Sequence, residues 1–258
     1  MKRKRKWVLL GILALFVVAL LCTFSGFITS NPHNYKTIGD ISTPIGYERV
    51  KGDDPAYAEF LRSLPLKRRG EKVQLFTGGN ADWQIGNYAV INLPLLSNWE
   101  QCADVCMRLR AEYLFQAKKY NGIHFKSFKG KTMQYSGGSS RKAFEDYLRR
   151  VYTASNTCTL RNELKTRPLK DIQPGDIFVY QASSEHKVGH AVMVVDVAVN
   201  KNGEKAFLIA EGNTPANEIH VLHNIKNPFR SPWYILDEDA SFLRLPIHKF
   251  KPEDLRHF

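Results

Sequence analysis

The N-terminus constrains this chain most. Lys2, Arg3, Lys4, Arg5 and Lys6 precede an apolar run from Trp7 to Ile28 that contains no charged residue. A helix needs roughly 20 such residues to cross the hydrocarbon core of a bilayer. The basic flank holds the N-terminal end in the cytoplasm, so the chain is expected to emerge on the other side. A cleaved signal peptide usually has an apolar region of only about 7–15 residues. Ala19-Leu20-Leu21-Cys22 places bulky Leu21 where a lipoprotein cleavage site has a small residue. An uncleaved signal anchor is therefore the reading carried forward. It makes the chain a single-pass protein of the cytoplasmic membrane, with its C-terminal domain on the extracytoplasmic (periplasmic or extracellular) side. The expected organisation is a basic tail at 1–6, an anchor at 7–28, a linker at 29–54 and one α+β domain at 55–258 with its core at 97–223.

The formal net charge is +12, of which five positive charges belong to the tail. A basic exported part suits an anionic neighbour such as lipid headgroups or cell-wall polymer, and suits an ordinary solvated surface equally well. No aromatic–basic interleaving marks a nucleic-acid platform, so nucleic acid is not an expected partner. Four cysteines are too few for a disulfide-built scaffold. With Cys22 in the apolar run, Cys102, Cys106 and Cys158 remain, and an odd number leaves one thiol over in an oxidising compartment. A Cys106–Cys158 disulfide would leave Cys102 free, whereas helix geometry disfavours a Cys102–Cys106 bond.

Helical periodicity is strongest from about Trp99 to Lys119, with Ser97 and Glu100 as a capping box and apolar residues at Ala103, Cys106, Leu109, Tyr113 and Leu114. Shorter helices are expected at Ala56–Leu64 and Arg141–Tyr152. Strand patterns cover Lys72–Phe76, Tyr88–Leu93, Ile177–Tyr180, Ala191–Val199, Ala206–Ala210 and Glu218–Leu222, with Asn202-Gly203 turning a hairpin. Helices first and an antiparallel meander afterwards is an α+β layout.

Cys102 falls near the start of the long helix, where unsatisfied N–H groups and the positive dipole end favour a thiolate. A nucleophilic thiolate needs a histidine to take its proton and a third group to orient that histidine. His190 opens an otherwise apolar strand, and Glu211 ends the next one, so hairpin pairing can bring them together. Asn213 is the substitute should Glu211 point away.

The order of these motifs resembles the NlpC-type papain-like cysteine peptidases: a helical Cys, Pro174-Gly175-Asp176 leading into a strand, Gly189-His190-Ala191-Val192, then a polar residue on the next strand. The resemblance implies a papain-like α+β fold, with a helix packed on an antiparallel sheet. It also implies Cys102 as nucleophile, His190 as base and Glu211 as orienting residue, with cell-wall stem peptide as substrate. Two departures concern the substrate. The usual Asp-Cys-Ser-Gly reads Gln101-Cys102-Ala103-Asp104 here, and a long insertion separates the Cys helix from the Pro-Gly-Asp turn. The chain also resembles an uncharacterised bacterial family of exported proteins, through Gln101–Asp104, Arg108–Tyr113, Gly189–Val192 and Ser231–Tyr234.

Plainer readings stand beside these. Cysteine is among the most buried residue types, so Cys102 fits an inert core thiol. Arg108, Arg110 and Glu112 read as solvated charges with an i, i+4 pair, Asp104 as a partner of the helix dipole, and Trp233 and Tyr234 as packing on the sheet. The functional counterparts assign Gln101 to an oxyanion hole, and Asp104, Asn213 and Trp233 to substrate contacts. Zinc is disfavoured, because an extended His186–His190 segment spans too far for shared coordination. No cofactor is required. The expected function is a membrane-anchored cysteine hydrolase acting on amide bonds of cell-wall peptide. Its competitors are a non-catalytic module of the same fold that binds wall polymer or an envelope partner, and a thiol acyltransferase using the same nucleophile.

Overall fold

One long strand organises the domain. Residues His190–Asn200 are buried over their first nine positions and rich in valine. β-branched side chains favour extended backbone, and burial on both faces explains why the run is apolar almost without alternation. The computed structural model describes residues 11–17 and 29–258. In chain order the strands are β1 (Tyr47–Arg49), β2 (Asn87–Val90), β3 (His124–Lys126), β4 (Thr132–Gln134), β5 (Lys165–Thr166), β6 (Ile177–Tyr180) and β7 (His190–Asn200). They continue with β8 (Lys205–Glu211), β9 (His220–Leu222), β10 (Tyr234–Ile235), β11 (Leu243–Arg244), β12 (Lys249–Phe250) and β13 (Leu255–His257). The domain's helices are α1 (Pro55–Ser63), α2 (Cys102–Gln116), α3 (Arg141–Ala154) and α4 (Thr157–Glu163).

The main sheet runs β2-β9-β8-β7-β6-β13-β5, with β1 added to the far half of β7 and β10 to β8. Its pairings are antiparallel. Helix α2 packs against β7 and is buried on nearly every side, through Ala103, Val105, Cys106, Met107, Leu109 and Ala111. Helix α3 is a surface helix instead, burying Phe144, Tyr147, Leu148, Val151 and Tyr152 along one stripe. The fold is thus α+β. Residues 29–54, expected as a linker, contribute buried Ile38, Ile41 and Tyr47. Lys72–Phe76 forms only isolated bridges, Gln74 to Asn80 and Leu75 to Asn217.

The expected membrane-spanning helix is corrected. Among the described residues no helix is long and apolar enough to cross a membrane. Within the apolar run the described residues are 11–17, all helical. The tail at 1–6 and the rest of the run, 7–10 and 18–28, lie outside the described residues. With the helix go the signal-anchor topology, the membrane as partner and the single-pass localisation.

The start of α2 also differs from expectation, with consequences for the site. Gln101 is its N-cap and Cys102 its first residue. Glu100 does not close a capping box; one carboxylate oxygen meets Arg108 Nη1 at 2.6 Å, and the other accepts the Leu96 N–H at 2.7 Å. Arg108, read as a solvated charge, is 1% exposed. Its guanidinium also donates to the Pro94 carbonyl and reaches Glu112, which Arg141 clamps with two further bonds. A tertiary ion pair has overridden the local capping signal.

Candidate functional site

Cys102 sits at the floor of a cleft because α2 begins at that residue and points its first turn at the start of β7. The cap is tied from two sides. The Gln101 N–H donates to Asp104 Oδ2 at 3.0 Å, and the Thr214 hydroxyl donates to Gln101 Oε1 at 2.9 Å. The second bond joins the helix start to the loop after β8.

That loop and strand carry the opposite wall. His190 and Glu211 are diagonal neighbours on paired strands, since Met193 stands opposite Ala210. His190 Nε2 lies 3.1 Å from Glu211 Oε2, leaving the other ring nitrogen for the Cys102 thiol. Asn213 does not replace Glu211; its Nδ2 donates to Glu211 Oε1 at 2.8 Å and so fixes the carboxylate. His220 approaches the same oxygen at 3.7 Å. One face of the His190 ring is covered by His248, whose ring stacks on it at 3.6 Å and 20°. The Tyr180 hydroxyl bonds His248 Nδ1 at 3.0 Å, and His186 stacks in turn on Tyr180.

The charges follow from this packing. Burial pushes the Cys102 thiol up, but the hydrogen bond and charge of His190, with the Ala191 and Ala103 N–H groups, outweigh it and hold the thiol below its ordinary value. Burial likewise pulls His190 down, yet its bonds to Cys102 and Glu211 push it up to about 10. Glu211 is driven up by burial and pulled far below the usual carboxylate range by His190 and His220. The three groups thus favour their charged forms mutually, the imidazole between the sulfur and the carboxylate offsetting the burial that opposes charge on each. Such a centre can react with soft electrophiles and can bind polar groups that match its alternating charges. His248, desolvated and beside the imidazolium, is lowered to about 4, so it packs as a neutral ring.

The cleft measures 790 Å³ and is lined by Gln101, Cys102, Asp104, His190 and Asn213 among others. Trp99, Phe128 and Val188 stand exposed at its rim. Six of the seven site candidates thus lie around one centre, Glu211 immediately behind the lining. Trp233 does not join them; it is buried in the core, with its indole N–H on the Ser42 carbonyl at 2.8 Å. Reading the sequence missed His248, Tyr152, Trp99 and the Asn156–Thr157 pair at the start of α4. His248 carries no periodic or motif signal and arrives by tertiary packing, whereas Tyr152 is one of the apolar stripe of α3 and Asn156 the N-cap of α4, signals that speak of helices and not of a site. Cys106 is fully buried, Cys158 is exposed, and both are free thiols, so the Cys106–Cys158 disulfide is not formed. Among the described residues no group of three or more His, Cys, Asp or Glu could hold a metal ion.

Gly189, just before His190, is required by close approach. A Cβ there would lie 2.1 Å from Thr157 Oγ1 and 2.9 Å from the Tyr180 carbonyl oxygen. The second of these is backbone and cannot swing away. Gly189→Ala is expected to cost roughly 1–3 kcal/mol, read as a lower urea midpoint, and to displace the start of β7.

Comparison with known proteins yields one family. Its model matches residues 39–138 and 132–257, and it is described as Domain of unknown function (4846). No curated protein and no solved structure matches the chain. Nothing among these findings points to the NlpC-type peptidases specifically. The expected membrane-anchored hydrolase of cell-wall peptide is corrected accordingly. Its anchor is not found among the described residues, its matched family is described only as a domain of unknown function, and the thiol, imidazole and carboxylate are all buried.

Proposed function

We propose, from the premise that the chain belongs to this family of unknown function, that the domain is a ligand-binding module whose cleft holds a short peptide-like chain. One observation carries the reading. A chain with a formal net charge of +12 lines this cleft, among the described residues, without a single Lys or Arg, setting amides and hydroxyls around the Cys102–His190 centre under exposed aromatic rims. Asn156, Thr157, Asn213 and Thr214 offer the paired donors and acceptors that a peptide backbone needs, and Trp99 and Phe128 offer apolar faces to its side chains. Cys102 and His190 form the polar centre of the floor, Glu211 orients His190, and Gln101 and Asn213 stand where they can meet backbone amides. The order of motifs shared with NlpC-type peptidases supports placing these residues in one site.

The test is titration of the protein with tri-alanine amide, followed by tryptophan fluorescence and by the mass of the recovered peptide. Saturable binding is expected, with the peptide recovered intact. Trp99→Ala should weaken it roughly tenfold, since exposed aromatic anchors dominate such contacts. Its melting temperature should not change, because Trp99 is 62% exposed. Absence of saturable binding, or an affinity indifferent to Trp99, would reject the module.

A further inference from the structure

The hairpin that carries His248 turns two cations onto one face. Alternation along β11 and β12 sends Leu243 and Phe250 towards the apolar core, where Phe250 is fully buried. The alternate positions, Arg244 and Lys249, stand directly opposite each other across the pair. Like charges in that relation, with Cβ atoms about 5 Å apart, destabilise a strand pair. Both cations also lie over the Phe242 ring, 5.7 and 4.7 Å from its centroid. Lys249 finds one carboxylate, Glu185 at 3.3 Å, which Lys251 shares at 3.1 Å. Arg244 finds none. Nor does Lys226, and among the described residues neither of these two exposed side chains has an ion pair or a hydrogen bond. Lys226, Arg244 and Lys249 line one cavity of 410 Å³ together with His186 and His248, and no Asp or Glu lines it. Pro246 and Ile247 make an apolar wall, and Tyr180 an aromatic one on which His186 stacks at 4.0 Å.

We propose that this cavity is a second binding site, distinct from the peptide cleft, for the phosphate group of a small phosphate monoester. The balance of charge favours a dianion. Lys226 and Arg244 bring two positive charges with no carboxylate to answer them, and a phosphate monoester carries about −1.5 to −2 at neutral pH and above. Its terminal oxygens accept hydrogen bonds, and a guanidinium fork meets them in pairs. An anion seated between Arg244 and Lys249 turns their mutual repulsion across the strands into a shared attraction. The organic body of the ester is called for by the rest of the wall. Bare phosphate would leave Pro246 and Ile247, the latter 53% exposed, uncovered, in a cavity sized for a small organic molecule. The two cavities share His248 and differ in charge: among the described residues the cleft is lined by no Lys or Arg, and this one by three. The inference therefore goes beyond the peptide-binding reading and does not depend on it.

The experiment titrates the protein with phenyl phosphate, and separately with inorganic phosphate, at about pH 8, where both are largely dianionic. Binding is followed by calorimetry and by thermal unfolding. Phenyl phosphate is expected to bind saturably at about 0.02 M salt and more weakly at about 0.2 M, as screening grows. It should raise the melting temperature, as a ligand of the folded state does. Inorganic phosphate, which buries no apolar body, should bind roughly tenfold more weakly. Lys226→Met and Arg244→Gln should each weaken phenyl phosphate roughly tenfold, the loss of one charge-assisted contact. Without ligand, Arg244→Gln should melt no lower than the parent, because it removes the repulsion from Lys249. A lower melting temperature would make Arg244 a prop of the hairpin and overturn the site. So would the absence of saturable binding, an equal affinity for inorganic phosphate, or an affinity indifferent to both substitutions. Each of those outcomes leaves the peptide-binding cleft standing, since none of the three cations lines it.

Discussion

Arg108→Ala is expected to destabilise the domain by about 3–5 kcal/mol, the cost of leaving a buried charge without its partner. Glu100 is fully buried, and Arg108 is the cation bonded to it, at 2.6 Å. Burial already raises the Glu100 carboxyl against the pull of Arg108. Without the guanidinium, Glu100 must either ionise in an apolar surround or take up a proton, and each choice costs stability. The Pro94 carbonyl and Glu112 lose a donor as well. In a domain of this size the loss lowers the melting temperature by about 10 °C. The double variant Glu100→Leu with Arg108→Met removes both charges and should recover much of the loss, because a buried pair exchanged for apolar packing is often close to neutral. Thermal and urea unfolding of the three proteins decide the matter. A single variant within about 0.5 kcal/mol of the parent would show that the pair carries no such role. The position of this pair links stability to the cleft. The strap from Pro94 to Glu100 delivers Trp99 to the rim and Gln101 to the helix cap, so its loosening should also weaken peptide binding.

The same pair shows where reading the sequence stops. Ser97 and Glu100 have the spacing of a capping box, and only the buried Arg108 on the next turns of α2 reassigns the glutamate. Arg108 and Glu112 have the spacing of a surface ion pair, and only the packing of α2 on all sides buries them. Local signals were sufficient where the chain satisfies itself locally. The valine run of β7 and the Asn202-Gly203 turn give the central hairpin, whose register sets His190 beside Glu211. The apolar stripe of α3 is equally local. The site was legible to the same degree. Cys102 and His190 could be singled out because a helix start and an interrupted apolar strand are visible in one dimension. His248 could not, because it reaches His190 from the C-terminal segment through ring stacking alone, and Tyr152 could not, because it reads as one more aromatic on an apolar stripe. Trp233 shows the opposite failure. Its neighbourhood suggested a groove, while its indole satisfies itself on the Ser42 carbonyl inside the core. For the apolar N-terminal run, among the described residues no helix is long and apolar enough to cross a membrane.

Cys102 should be alkylated by iodoacetamide in the folded protein at pH 6 to 7, where an unperturbed thiol with a pKa of about 8.5 is almost wholly protonated. The sign follows from the pair. His190 holds its proton up to about 10, so across neutral pH an imidazolium faces the sulfur and keeps the thiol below its ordinary value. Reactivity is then retained as pH falls below the ordinary thiol range and is lost only on passing the lowered value. Exposed Cys158 and fully buried Cys106 serve as internal comparisons, resolved by mass spectrometry. His190→Ala removes the hydrogen bond and the charge together, leaving burial, which raises the thiol, as the largest influence. The rate at pH 6.5 should fall by roughly ten- to a hundredfold, because the thiolate population drops about tenfold each time the thiol becomes 1.4 kcal/mol harder to ionise. Glu211→Gln keeps the imidazole but removes the carboxylate that holds it protonated, so its rate should lie between the two. Bound tri-alanine amide, filling the cleft above the sulfur, should slow labelling in the parent protein without changing its pH profile. A Cys102 that labels only on unfolding, or whose profile does not move in His190→Ala, would mean that the sulfur and the imidazole share a wall of the cleft without sharing charge. Recognition would then rest on the amides and the aromatic rim alone.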